Sequence, residues 1–219
     1  NAQPLVFRYR WGSAAFAHNG NLINAGRLAR WLSDNGAIFQ STSDTEVFAN
    51  LVAKYGNQDI VSAVKKAVMD IQGAYSMVIM TRDKMIGLRD RFGVRPLCLG
   101  KLGEAFVLAS ETCALGTIGA KFERFIEPGE MVVIDNEGIE SFQFAKEDRQ
   151  GMCIFEYVYL ARPDSTLDAG NVAKIRMEFG KQLAEETNIE ADMVIPVPDS
   201  GNSASLGYSQ AKGIPYMSG

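Results

Sequence analysis

Three stretches between residues 74 and 144 constrain the fold more than any other part of the chain. They are "AYSMVIMTRDKMIGLRD" (74–90), "LCLGKLGEAFVLAS" (97–110) and "GEMVVIDNEGIESFQF" (129–144). Each holds apolar runs of strand length, broken by Arg-Asp-Lys, Gly or Asp-Asn-Glu-Gly turns. A turn this short joins antiparallel neighbours only, because a parallel pair needs a long crossover. The middle of the chain is therefore predicted to be consecutive antiparallel hairpins, whose apolar face needs a cover.

The residues upstream supply that cover. Runs at 4–7 and 13–17, separated by "RYRWG", read as two strands about a turn. From Asn24, a good N-cap, the spacing of Leu28, Trp31 and Leu32 predicts a helix closed by Gly36. "STSDTEVFANLVAKYG" (41–56) predicts a second helix, capped by Ser43 or Asp44, with Val47, Leu51 and Val52 facing inward and Gly56 ending it. "DIVSAVKKAVMDI" (59–71) predicts a third. Helices beside a sheet of hairpins make an α+β layered fold. The charged stretch "AKEDRQG" (145–151) is a predicted boundary between a domain at 1–150 and another at 151–219. Beyond it the pattern predicts a helix near 171–187, an apolar strand in "DMVIPVPDSG" and a final helix. That strand–loop–helix order is the first crossover of a parallel α/β sheet.

Composition excludes several classes of function. A net charge of −4 offers no basic face for phosphate backbones, so nucleic acid is not an expected partner. The longest apolar run, "YSMVIM", is strand-sized, so no membrane span is expected. Cys98, Cys113 and Cys153 are odd in number, widely spaced and without a Cys-x-x-Cys pair, which predicts no disulfide framework and a cytoplasmic location. The first residue, Asn1, follows no secretory leader pattern, and both ends read as cuts in a longer polypeptide.

The chain has a single histidine, His18. A zinc site built on several imidazoles is excluded, and no Gly-x-Ser-x-Gly elbow accompanies a triad. For His18 the plain expectation is a structural role, bracing the Asn-Gly turn by hydrogen bonding. Asn19-Gly20 has two readings. It is the commonest hairpin turn pair, or it is an oxyanion hole, with an amide side chain and a main-chain N–H where a tetrahedral intermediate gathers charge. Asp44 likewise either caps a helix or pairs with the α-ammonium of an amino-acid substrate.

"NAQP", "AHNGNLINAGRL" and "STSDTEV", in this order and spacing, resemble class II glutamine amidotransferases of the N-terminal-nucleophile kind. "RDRFGVRPLCLG", "LASETCALGTIGA", "IEPGEMVVI" and "CIFEYVYLARPDS" narrow the resemblance to the glutamine phosphoribosylpyrophosphate amidotransferase family, over essentially the whole chain. The resemblance implies a four-layer αββα glutaminase domain with its N-terminal part missing, followed by the start of an α/β type I phosphoribosyltransferase domain. It implies glutamine and phosphoribosyl pyrophosphate as substrates, ammonia passed between two sites, and 5-phosphoribosylamine as product, the first step of purine synthesis. Homo-oligomerisation and purine-nucleotide feedback follow from it too.

By the same resemblance Asn19 and Gly20 match the oxyanion hole, Asp44 the ligand of the substrate amino group, and Ser200 in "VPDSG" a ligand of Mg²⁺. Cys153 aligns with one ligand of the [4Fe–4S] cluster found in one branch of the family, or is a simple buried thiol. The family nucleophile is an N-terminal Cys whose α-amine is its own base, and both it and the Arg that holds the glutamine carboxylate would precede "NAQP". The fragment alone is therefore expected to be inactive. Two alternatives stand beside this reading: a noncatalytic glutamine-binding or assembly module, and another class II amidotransferase such as a glucosamine-6-phosphate synthase.

Overall fold

The computed structural model describes residues 2–56, 59–147 and 149–218. In chain order it runs β1 (Leu5–Tyr9), β2 (Gly12–Leu22), α1 (Ala25–Asp34), α2 (Asp44–Tyr55), α3 (Ile60–Asp70), β3 (Gly73–Met80), β4 (Met85–Arg89), β5 (Cys98–Leu102), β6 (Ala105–Ala109), α4 (Thr112–Thr117), β7 (Lys121–Phe125), β8 (Glu130–Asp135) and β9 (Gly138–Gln143). A one-turn π-helix (Glu156–Leu160), β10 (Thr166–Leu167), β11 (Gly170–Asn171), α5 (Val172–Glu186) and α6 (Gly201–Lys212) complete it. Contacts divide the chain into two units, Asn1–Ser110 with Phe122–Met152, and Glu111–Lys121 with Cys153–Gly219.

The first unit is built on a six-stranded sheet in the order β1-β2-β3-β4-β8-β9, every neighbour antiparallel. All three predicted hairpins form: β3–β4 and β8–β9 here, and β5–β6 in a separate three-stranded sheet, β6-β5-β7. The period-2 alternation of β8 explains the layering. Met131 and Val133 join the core shared with α1–α3, whereas Val132 and Ile134 join a second core with Leu97, Leu99 and Ile126. A strand buried on both faces reads as a continuous apolar run, which is what "MVVI" is.

The helices follow their predicted signals with two differences. Ser43, not Asp44, caps α2 by accepting from Thr45 N–H at 3.3 Å. Asn24 sits at the start of α1 but does not cap it. Its side chain instead donates to Asp70 C=O at 2.8 Å and accepts from Gln72 N–H at 3.0 Å, joining α1 to the end of α3. Leu28 and Leu32 are buried, while Trp31 lies at the rim with the Lys54 ammonium 3.9 Å from its ring centroid.

In the second unit α5 and α6 pack closely because glycine lies at the crossing. A Cβ on Gly180 would stand 1.8 Å from Ala204 C=O, and one on Gly207 2.0 Å from Met177 C=O. "CIFEYVYLARPDS" forms the π-turn, closed by Ala161 N–H on Glu156 C=O at 2.9 Å. Buried Arg176 donates to the carbonyls of Tyr157 and Ala161. The carboxylate of Glu111 accepts from Arg162 N–H at 2.9 Å and Ser165 Oγ at 2.7 Å, which fixes the loop.

The predicted strand in "DMVIPVPDSG" does not form as a strand among the described residues. Val194 makes an isolated parallel bridge with Tyr216. Pro196 and Pro198 lack the N–H groups that a longer ladder would use. The fold is mixed α/β.

Candidate active site

Asn19-Gly20 is not a hairpin turn. Both residues lie within β2, where Asn19 faces Ser76 and Gly20 faces Tyr75 of β3. Gly20 has φ +147°, and a Cβ there would stand 2.0 Å from Ala74 C=O, so only glycine fits. Tyr75 gives its C=O to Asp90 N–H at 2.8 Å and its N–H to Asp90 Oδ2 at 3.2 Å. That directs the Gly20 N–H toward the other edge of β2, past the end of β1.

On that edge Gln3, from "NAQP", extends the ladder by one step. Its side-chain amide donates to His18 C=O at 2.8 Å and accepts from His18 N–H.

The Asn19 side chain is held at both ends. Its Oδ1 accepts from the Arg95 guanidinium, and its Nδ2 donates to Ser110 Oγ at 3.3 Å. Asn19 lines a cavity of about 280 Å³ with Gln3, Ala17, Ser76, Val78 and Ser110 among its other walls. Gly20 and Asp44 do not line that cavity.

Asp44 is the first residue of α2. Its Oδ2 accepts from Leu22 N–H at 2.9 Å, and its Oδ1 lies 3.4 Å from His18 Nδ1. His18 braces the strand against α2 rather than a turn, with Thr45 Oγ1 3.2 Å from the same nitrogen. Burial lowers the imidazole pKa below its ordinary 6.5. The Asp44 carboxylate opposes that shift and Arg95 adds to it. Burial thus outweighs the carboxylate 3.4 Å away.

Arg95, Ser110 and Gln3 are the site residues that sequence reasoning missed. All three lie in quoted motifs, but their partners are far along the chain. Glu46, also missed, is buried and accepts from Gln40 N–H, Ser41 N–H and Ser41 Oγ at 2.7, 2.7 and 2.6 Å, ordering the loop before α2.

Ser200 lies at the start of α6, and its side chain makes no capping bond there. A hydroxyl is a hard-oxygen donor of the kind Mg²⁺ accepts. Cys153 is partly buried and in no disulfide. No three His, Cys, Asp or Glu side chains cluster to hold a metal among the described residues. Cys153 alone therefore does not make an iron–sulfur site, which needs four thiolates. No described helix is long and apolar enough to cross a membrane.

Asn19 and Gly20 on β2 and Asp44 at the start of α2 are thus brought together by the fold, with Asn19 alone of the three at the cavity wall. The chain belongs to the glutamine amidotransferase family: residues 1–117 match the family described as glutamine amidotransferase domain.

Over its full length the chain is 47% identical to the amidophosphoribosyltransferase of Bacillus subtilis and 42% identical to that of Archaeoglobus fulgidus. It covers 46% and 48% of those proteins, so it spans about half the length of its relatives. Its fold superimposes on the solved glutamine phosphoribosylpyrophosphate amidotransferase of B. subtilis, complexed with ADP and GMP, with a TM-score of 0.96 at 47% identity. That match covers all of this chain and 48% of the solved one.

Proposed function

We propose that this chain is part of an amidophosphoribosyltransferase. In this reading the protein hydrolyses glutamine and delivers the ammonia to phosphoribosyl pyrophosphate, displacing pyrophosphate to give 5-phosphoribosylamine for purine synthesis. The observation that carries the reading is the Asn19 carboxamide at the cavity wall, oxygen toward Arg95 and nitrogen toward Ser110. Attack on the glutamine amide puts negative charge on its oxygen. Asn19 Nδ2 and the Gly20 N–H are the donors that stabilise it, already aimed and without reorganisation cost. Asp44 pairs with the substrate α-ammonium.

The three cysteines lie inside the chain, so none can be a nucleophile that uses its own α-amine as base. That role falls to an N-terminal Cys of the longer protein. Residues 1–150 serve as the larger part of a four-layer αββα glutaminase domain, and 151–219 as the start of a phosphoribosyltransferase domain. The parallel Val194–Tyr216 bridge across α6 supports the latter assignment. When bound, Mg²⁺ would offset the diphosphate charge, with Ser200 as one ligand. A closed path between the sites matters because ammonia released to water is protonated and loses its nucleophilic lone pair.

Similarity to amidophosphoribosyltransferases along the whole of this chain favours this reading over a noncatalytic module or a glucosamine-6-phosphate synthase. The test is made on the full-length protein. Asn19→Ala is expected to lower the glutaminase kcat about 10²–10³-fold with KM for glutamine little changed. Unchanged ammonia release from the variant would sink the oxyanion-hole assignment, and no glutamine-dependent ammonia release from the unsubstituted protein would sink the reading.

A further inference from the structure

We infer that Arg95 is a positioning residue for the glutaminase reaction, holding the Asn19 carboxamide with its NH₂ toward the cavity. The inference rests on the assignment of Asn19 to the oxyanion hole. An asparagine amide is nearly symmetric in shape, so packing alone does not decide which end faces a substrate. A guanidinium decides it, because it carries five donors and no acceptor. Only Oδ1 can meet Arg95, and the opposite end of the amide is then necessarily the donor. Its Nδ2 has two hydrogens. One reaches Ser110 Oγ at 3.3 Å, and the other is available to an oxyanion. The guanidinium charge beside Oδ1 also polarises the amide and strengthens its N–H groups as donors.

The chain fixes Arg95 from behind. Arg95 N–H donates to Asp90 Oδ2 at 3.0 Å, and the buried Arg89 side chain donates to Arg95 C=O at 3.0 Å. Asp90 Oδ1 also accepts from Phe92 N–H and Val94 N–H, at 3.0 and 3.1 Å, which sets the course of the loop "RFGVR". Gly93, at φ +67°, gives its C=O to Arg89 at 3.0 Å. Through the bonds of Asp90 to Tyr75, the same carboxylate fixes the residue that faces Gly20 in the ladder. One buried Arg-Asp pair thus sets the backbone beside both proposed oxyanion donors.

A double-mutant cycle on the full-length protein tests this, with Arg95→Met, Asn19→Ala and the two combined, read as kcat and KM for glutamine. Arg95→Met is expected to lower kcat about 10–100-fold with KM nearly unchanged, a large share of what loss of an oxyanion donor costs. In the Asn19→Ala background the same change is expected to cost nothing further. Arg95→Lys, which keeps a cationic donor and disturbs packing less, is expected to lose less than Met, and it carries the comparison if the Met variant melts early. Losses that multiply in the double variant, or a silent Arg95→Met beside a slow Asn19→Ala, overturn the positioning role alone. A silent Asn19→Ala overturns the oxyanion-hole assignment itself.

Discussion

The main-chain N–H of Leu22 donates to Oδ2 of Asp44 at 2.9 Å, tying the strand that carries Asn19 and Gly20 to the first residue of α2. The two motifs "AHNGNL" and "STSDTE" thus meet through this bond and through His18 Nδ1, which lies 3.4 Å from Asp44 Oδ1 and 3.2 Å from Thr45 Oγ1. Asp44→Asn keeps an oxygen to accept from Leu22 but loses the charge. In the full-length protein it is expected to weaken glutamine binding by about 1.5–3 kcal/mol, roughly a 10–100-fold rise in KM, with the fold intact. Steady-state kinetics over a wide glutamine range check this.

Gly20→Ala is expected to unfold rather than merely inactivate. Its Cβ would meet Ala74 C=O at 2.0 Å, main chain against main chain, at a backbone angle that L-residues rarely adopt. Together these cost more than about 3 kcal/mol. Thermal melting shows it, with Asn19→Ala as the control that leaves the melting temperature nearly in place.

The buried imidazole of His18 makes stability depend on pH. Its folded-state pKa lies below the ordinary 6.5, chiefly through burial. The unfolded chain therefore takes up the proton first. The stabilisation is complete above pH 6.5 and is lost as pH falls from there toward the folded-state value. A melting temperature followed downward from neutral pH is expected to drop across that window. His18→Gln, which does not titrate there, is expected to flatten the drop.

Replacing glycine by alanine in a helix interior usually stabilises it by about 1 kcal/mol. At Gly180 and Gly207 the sign is expected to reverse, with a loss of about 2–3 kcal/mol, because each new methyl would enter the main chain of the facing helix. Hydrogen exchange of α5 and α6 amides in the two variants reads this directly, and unchanged protection would contradict the close crossing.

Much of the first unit was legible because its signals are local. The hairpin turns at 81–84 and 135–138 join antiparallel neighbours in the sheet, and the helices around Val47–Val52 and Ile60–Val68 bury the faces that their spacing selects. The second unit was less legible. The segment Glu111–Lys121 joins it from within the first 150 residues through Glu111 and the Arg162–Ser165 loop, a contact across 51 residues that no periodicity announces. The π-turn at Glu156–Leu160 has no sequence signal of its own, since Arg176 stabilises it from another helix.

At the candidate site the division runs between residue type and residue orientation. The sequence by itself determined which groups were available: one imidazole, an amide next to a glycine, a carboxylate at a helix start, and hairpins that force an antiparallel sheet. These follow from side-chain chemistry and short-range backbone geometry, which act over a few residues. Only the tertiary structure decided that Asn19-Gly20 is strand rather than turn, and that the Asn19 oxygen faces Arg95, 76 residues downstream. Which end of a near-symmetric amide points outward depends on the donor placed opposite it, and the folded chain supplies that donor.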